Sequence, residues 1–330
     1  MQREYTLKDV EISKRSIKRL RWMRRILPPL MNLLGMLPVR VRVRFQRNLA
    51  AQVPDKVQGF TPQYYAMGGV PGVMLGELDP QQKPRVVLYL HGGAFIAPII
   101  ANGHLALAGK LANQLDADAF VPDYRLAPLN VYPAALDDCD LAYQALLDRG
   151  YEAKNILVAG ESAGGNLTLG LLQRIRQHDL PQPACAIPIS PVAEMARVHA
   201  PPSRADNAKR DAMLPAKSFV NMLMDYAPGA DGGDPQLSPL IADFTGLPPL
   251  YFLVGETEIL LDDSLICARR AKEDGVETEI DVWPALPHAF PLLSDWLPEA
   301  KLSVEDMVQF AKRHLAPATG EMTDVTESAA

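Results

Sequence analysis

Ile156-Leu157-Val158-Ala159-Gly160-Glu161-Ser162-Ala163-Gly164-Gly165 decides the reading of this chain. Four apolar residues make a short buried strand, and Asn166 to Gln177 continues with helical periodicity. Between them stands a serine bracketed by glycines, the pattern of a sharp strand-to-helix turn with the serine at its apex. Side chains beside so tight a turn would collide with the neighbouring strand or helix, and glycine removes that crowding. The turn also aims backbone N–H groups at one point, at the helix start where negative charge is stabilised. Gly-x-Ser-x-Gly alone is a weak signal, and an isolated match is as readily an ordinary loop; its meaning depends on its surroundings.

Those surroundings are strands alternating with helices. Strands are expected at Val86–Leu90, Ala117–Val121, Ile156–Ala159, Ala184–Ile189, Leu250–Val254 and Thr278–Val282. Helices are expected at His104–Leu115, Ala134–Asp148, Ala163–Gln177, Asp262–Glu273 and Leu302–His314. The alternation implies crossover connections, a mostly parallel sheet covered on both faces, and a site at the carboxyl ends of the strands. Turns at Gly68-Gly69 and Pro71-Gly72 add an antiparallel edge. The pattern breaks over 192–247, rich in Pro, Ala, Asp and Met with one helical piece near 217–226; this reads as a cap insertion above the strand ends. Residues 316–330 are small and acidic and are expected to fray.

At 330 residues with 48% apolar and 22% charged side chains, the chain has the make-up of a soluble globular enzyme. A net charge of −6 does not call for a nucleic-acid partner. The charge is uneven: residues 1–50 hold 13 Lys+Arg against 3 Asp+Glu, a net +10, and the remainder carries −16. Residues 6–27 have helical periodicity, with Arg15, Lys18, Arg19, Arg21, Arg24 and Arg25 between the apolar positions. The apolar stretch that follows is broken by Pro28, Pro29 and Gly35 and falls short of the ~20 residues of a membrane span. Its basic region is too long for a signal peptide, and no small-x-small cleavage site follows. The arm at 1–55 therefore has two compatible readings, a helical cap over residues 56–330 and a peripheral contact with an anionic membrane. Three scattered cysteines, Cys139, Cys185 and Cys267, fit neither a disulfide framework nor a zinc site and suit a reducing cytoplasm.

Beyond the serine, the chemistry lies on loops after strands. His91-Gly92-Gly93 follows Val86–Leu90, where the N–H groups of Gly92 and Gly93 can join that of Ala163 as oxyanion donors. A serine nucleophile needs a base and an orienting acid. Of the downstream histidines, His178 and His314 end helices and His199 lies in the insertion, whereas His288 follows the last strand and is the expected base. The loop after Leu250–Val254 offers Glu256, Glu258, Asp262 and Asp263. Asp262 and Asp263 read as the start of the next helix, and Glu258 is the preferred acid by position. His91 is read as a structural residue of the oxyanion loop.

With these pieces assembled, the sequence resembles the hormone-sensitive-lipase family of bacterial serine esterases, within the α/β-hydrolase fold. The matching pieces are His91-Gly92-Gly93, Asp123-Tyr124-Arg125-Leu126-Ala127-Pro128, Tyr132-Pro133-Ala134-Ala135, Gly160-Glu161-Ser162-Ala163-Gly164-Gly165-Asn166 and Leu286-Pro287-His288-Ala289-Phe290, in family order across most of 85–315. The spacing of thirty positions from Glu258 to His288 also matches the family. Two departures stand out: Glu161 where the family usually has aspartate before the serine, and glutamate instead of aspartate as the acid at Glu258. The resemblance implies a cap built from the N-terminal arm and the insertion, and a small-molecule ester substrate of short to medium acyl length with no metal or cofactor. It leaves lactone or amide hydrolysis, or a binding role without catalysis, as alternatives. A homodimer is compatible with it. The Asp123–Pro128 block is expected to fix a loop near the cleft through an ion pair.

Overall fold

The computed structural model describes residues 5–38, 40, 41, 43, 44, 53–195, 201–216, 219, 224–229 and 233–316. Eight strands form one sheet: β1 Gln63–Met67, β2 Val70–Leu75, β3 Val86–Leu90, β4 Asp118–Pro122, β5 Ile156–Glu161, β6 Cys185–Ile189, β7 Leu250–Gly255 and β8 Thr278–Trp283. Their spatial order is β1-β2-β4-β3-β5-β6-β7-β8. β1 and β2 run antiparallel at one edge, and β2 pairs antiparallel with β4; the remaining pairs are parallel. The helices are α1 Lys14–Gly35, α2 Ala106–Gln114, α3 Ala134–Asp148, α4 Ala163–Gln177, the short α5 Ser203–Asp206, α6 Leu261–Glu273 and α7 Pro298–His314.

Every residue of β3, β4, β5, β6 and β7 is buried, because helices cover both faces. The two-residue period of a strand then sends alternate side chains into two separate cores. Val86, Leu88 and Leu90 of β3 join Ile156 and Val158 of β5 beneath α3, α4 and α6. Val87 and Tyr89 join Leu157 and Ala159 beneath α2 and α7, where Leu20 and Met23 of α1 also pack. The parallel strands all end on the same side of the sheet, and the loops leaving those ends carry the chemistry.

The expected elements are present, with α3 and α4 at their expected bounds and most others within a few residues. The N-terminal helix differs. It begins at Lys14, where Ser13 Oγ accepts the N–H of Ser16 as an N-cap, and it continues through Pro28 and Pro29 to Gly35. The described residues before it are not helical: Leu7 bridges to Val282 and the N–H of Lys8 donates to the Val282 carbonyl at 2.9 Å. The open edge of β8 offers those backbone groups a partner that a helix there would forgo. Within the expected cap insertion, residues 201–216 run across the loops that follow β6 and β7. His199, part of the helical piece near 217–226, much of the 39–52 stretch and the tail beyond Ala316 lie outside the described residues.

Candidate active site

Ser162 stands between β5 and α4 with φ 60° and ψ −117°, a strained conformation for a residue with a side chain. It is held there from both sides. Its N–H donates to the Ile189 carbonyl at 2.9 Å, and its carbonyl accepts from Asn166 at 3.0 Å and Val192 at 3.2 Å. Gly164 makes the turn possible, since a methyl group there would lie 1.8 Å from the Leu90 carbonyl oxygen. The serine is therefore lifted to the end of the sheet by packing that leaves the neighbouring backbone no alternative.

Glu258 and His288 come together as expected. His288 Nδ1 lies 2.9 Å from Glu258 Oε2, with both residues almost wholly buried. Glu258 accepts only, so the proton of this contact sits on Nδ1 and the Nε2 face of the ring is free to take a proton. The second oxygen, Oε1, receives the Ser190 hydroxyl at 2.9 Å and the N–H of Gly255. Ser190 Oγ in turn accepts the N–H of Ala289 at 3.2 Å. Burial pushes the Glu258 carboxyl upward, opposed by its contact with His288. For His288, burial alone would lower the pKa, but hydrogen bonding and attraction by Glu258, with the Asp211 charge added, leave it raised. No hydrogen bond joins Ser162 Oγ to His288 among the described residues; free enzymes commonly close that contact only around substrate.

The other acidic candidates are engaged elsewhere. Glu256 pairs with Arg210 at 2.9 Å. Asp262 Oδ2 accepts the N–H of Ser203 at 2.6 Å. Asp263 accepts the N–H groups of Ala193 and Glu194 and forms an ion pair with Arg204. His178 lies 3.4 Å from Asp140 and His314 lies 3.6 Å from Glu277, both at helix ends.

The loop expected to supply the oxyanion donors shows one departure. Gly93 has φ +109°, which favours glycine, and no acceptor takes its N–H or that of Ala163 among the described residues. The N–H of Gly92, in contrast, donates to Glu161 Oε1. Glu161 also receives the Tyr89 hydroxyl at 2.5 Å and lies 3.2 Å from His104 Nε2. Because His104 Nδ1 accepts the N–H of Ile100 at 3.0 Å, it is the Nε2–H that is directed at that carboxylate. Glutamate before the serine is long enough to reach across and take the Gly92 amide.

His91 lies behind this loop. Its Nδ1–H donates to the Gly92 carbonyl at 2.8 Å, and its ring stacks on Tyr124 with centroids 4.2 Å apart. Burial, together with the nearby His104, lowers its pKa to about 3, so it is neutral and structural. The Asp123–Pro128 block holds the same loop: the Tyr124 hydroxyl donates to the His91 carbonyl at 2.6 Å and the N–H of Ala127 to that of Phe95 at 2.9 Å. The ion pair of this block is Arg125 with Asp138 of α3, while Asp123 accepts from the Tyr64 hydroxyl.

A family model for the alpha/beta hydrolase fold matches residues 87–292, which spans β3, the serine turn, Glu258 and His288. The chain belongs to the α/β-hydrolase fold family. Its similarity within that family is to esterases of the hormone-sensitive-lipase type. It is 38% identical over 234 residues to the carboxylesterase/phospholipase LipF of Mycobacterium tuberculosis, a match covering 69% of this chain and 62% of that protein. It is 37% identical over 243 residues to the esterase LipU of the same organism, covering 72% of this chain and 80% of the relative. A crystal structure of a hormone-sensitive lipase from a metagenome library superposes with a TM-score of 0.79 at 31% identity, covering 91% of this chain and 98% of that one.

Three residues of the site were not singled out from the sequence. Ser190 donates directly to Glu258. Asn207 Nδ2 donates to the carbonyls of Glu256 at 3.1 Å and Glu258 at 2.9 Å. Asp211 Oδ2 accepts the N–H of Ile259 at 3.0 Å, while its Oδ1 accepts those of Met213 and Leu214. Burial raises the pKa of Asp211, against the opposing pull of His288 and these N–H groups. The one available signal was Ser190 immediately after an apolar strand, at the end where sites gather.

Proposed function

We propose that the protein hydrolyses carboxylic esters through an acyl-enzyme on Ser162, with His288 as general base and acid and Glu258 as its orienting carboxylate. The observation that carries this reading is the buried 2.9 Å contact between His288 Nδ1 and Glu258, on a loop tied through Ser190 to the strand end that also holds Ser162. Ser162 Oγ attacks the ester carbonyl while His288 Nε2 takes its proton. The oxyanion is held by the N–H groups of Gly93 and Ala163, and Gly92, bound to Glu161, keeps the loop in shape. His288 then gives its proton to the departing alkoxide, and water repeats the sequence to release the acid. Glu258 stabilises the imidazolium formed in both steps without itself taking the proton.

The family resemblance supports substrates of short to medium acyl length. The cysteines Cys139, Cys185 and Cys267, unpaired and buried, are in keeping with a reducing, cytoplasmic setting. Hydrolysis of p-nitrophenyl esters of increasing acyl length tests the reading, with Ser162→Ala as control. Turnover that disappears in a folded Ser162→Ala protein is the expected result. Turnover that survives that substitution, or silence across the series from folded protein, overturns it.

A further inference from the structure

The outer face of α1 sets exposed apolar side chains among basic ones. Its inner face is fixed to the body: Leu20 and Met23 are buried, Ser16 Oγ donates to Glu299 Oε2 at 2.5 Å, and the Arg19 guanidinium lies 4.9 Å from the centre of the Trp296 ring. The outer face carries Trp22, Ile26, Leu30 and Leu33, all exposed, with Trp22 at 58% and Leu33 at 60%. Steps of four, four and three residues place them in one stripe along the helix. Arg15 and Lys18 continue that stripe toward the helix start, and Arg21 and Arg25 flank it; all four are exposed. None of these four has an ion-pair partner among the described residues. Lys14–Gly35 contains seven basic residues and no acidic one.

We infer that this face of α1 docks on an anionic lipid surface, with Trp22, Ile26, Leu30 and Leu33 entering the headgroup–acyl boundary and Arg15, Lys18, Arg21 and Arg25 meeting the lipid phosphates. A basic rim around exposed Trp and Leu is the composition that an interfacial helix needs, and no helix among the described residues is long and apolar enough to cross a membrane. A second copy of the chain seated here would set two such basic helices against each other. A nucleic acid would engage the arginines and leave the apolar stripe in water. Residues 51–330 carry −16, so anionic lipid repels the rest of the molecule and attracts this face, which sets the orientation of docking. Because the inner face is already anchored, the helix needs no ordering on contact.

Co-sedimentation of the full chain with phosphatidylcholine vesicles, with and without phosphatidylserine, tests this. Binding should require phosphatidylserine and weaken with salt. Lys18→Gln with Arg25→Gln should weaken it roughly 25-fold, about fivefold for each basic charge removed. Trp22→Ser with Leu33→Ser should weaken binding at low and high salt alike, with thermal melting unchanged because both side chains are exposed. The inference is overturned by the absence of serine-lipid-dependent binding, by variants that bind as the parent does, or by a concentration-dependent dimer that Trp22→Ser dissolves.

Discussion

The Ser190 hydroxyl donates to Glu258 Oε1 at 2.9 Å while its oxygen accepts the N–H of Ala289, the neighbour of His288. The residue before it, Ile189, accepts the N–H of Ser162. Two consecutive residues at the end of β6 therefore hold the proposed nucleophile, Ser162, on one side and the His288–Glu258 pair on the other. Ser190→Ala removes a hydrogen bond to a buried carboxylate and leaves the Ala289 amide without its acceptor. We expect kcat to fall about 10- to 100-fold with KM little changed, as for a hydrogen bond to a charged group. Ser190→Thr, which restores the hydroxyl, should recover part of the loss. A change in KM alone would show that Ser190 does not position the pair.

The pH profile follows from the direction of the His288 shift. As the proposed base, His288 works only when neutral, and the fields of Glu258 and Asp211 favour its charged form and outweigh burial. As pH falls, kcat/KM should therefore decline through a midpoint above the ordinary histidine value of about 6.5. Glu258→Gln should move that midpoint down as well as reducing kcat, since the attraction that holds the proton is removed. A midpoint below about 6.5 in the parent protein would contradict the assigned environment.

Gly164 gives a test of the turn itself. The methyl group of Gly164→Ala would fall 1.8 Å from the Leu90 carbonyl, and neither backbone can yield without moving β3 or α4. We expect a loss of about 3 kcal/mol or more in urea unfolding, or failure to obtain soluble protein. Gly103→Ala, whose added carbon would find its nearest neighbour at 3.9 Å, serves as the tolerated control.

Arg204 lies between Asp263 Oδ1 at 2.5 Å and Glu194 Oε2 at 3.3 Å, with both carboxylates buried and its own side chain 17% exposed. Arg204→Ala takes the guanidinium away from both carboxylates. Urea unfolding should show a loss of about 3 kcal/mol or more, as when one partner of a buried pair is removed. Because Asp263 also holds the N–H groups of Ala193 and Glu194, the loop after β6 should loosen and activity fall with stability.

Much of this arrangement was legible in the sequence. The bounds of α3 and α4, the continuous apolar strands and the placing of Ser162, Glu258 and His288 after β5, β7 and β8 follow from periodicity and chain order. The parts that were not legible share a cause. Ser190, Asn207 and Asp211 act on the backbone of loops distant in sequence, so nothing in their local pattern marks them. The start of α1 at Lys14 depends on the free edge of β8, a tertiary feature that overrides the apolar spacing of residues 6–13. The engagement of Gly92 turns on the length of one side chain, that of Glu161, which the motif permits without revealing its reach.

The pairing of Leu7 and Lys8 with Val282 has a consequence for how the molecule keeps apart from its neighbours. Without it, β8 would present bare amides and carbonyls to solvent as a template for any passing strand. Lys8 also forms ion pairs with Asp281 at 2.6 Å and Asp306 at 3.0 Å, so the covering segment is clasped by charge as well as by backbone. A version trimmed to Ser13 would keep every residue proposed for chemistry and yet acquire a sticky border at Val282, open to pairing with a strand of another molecule.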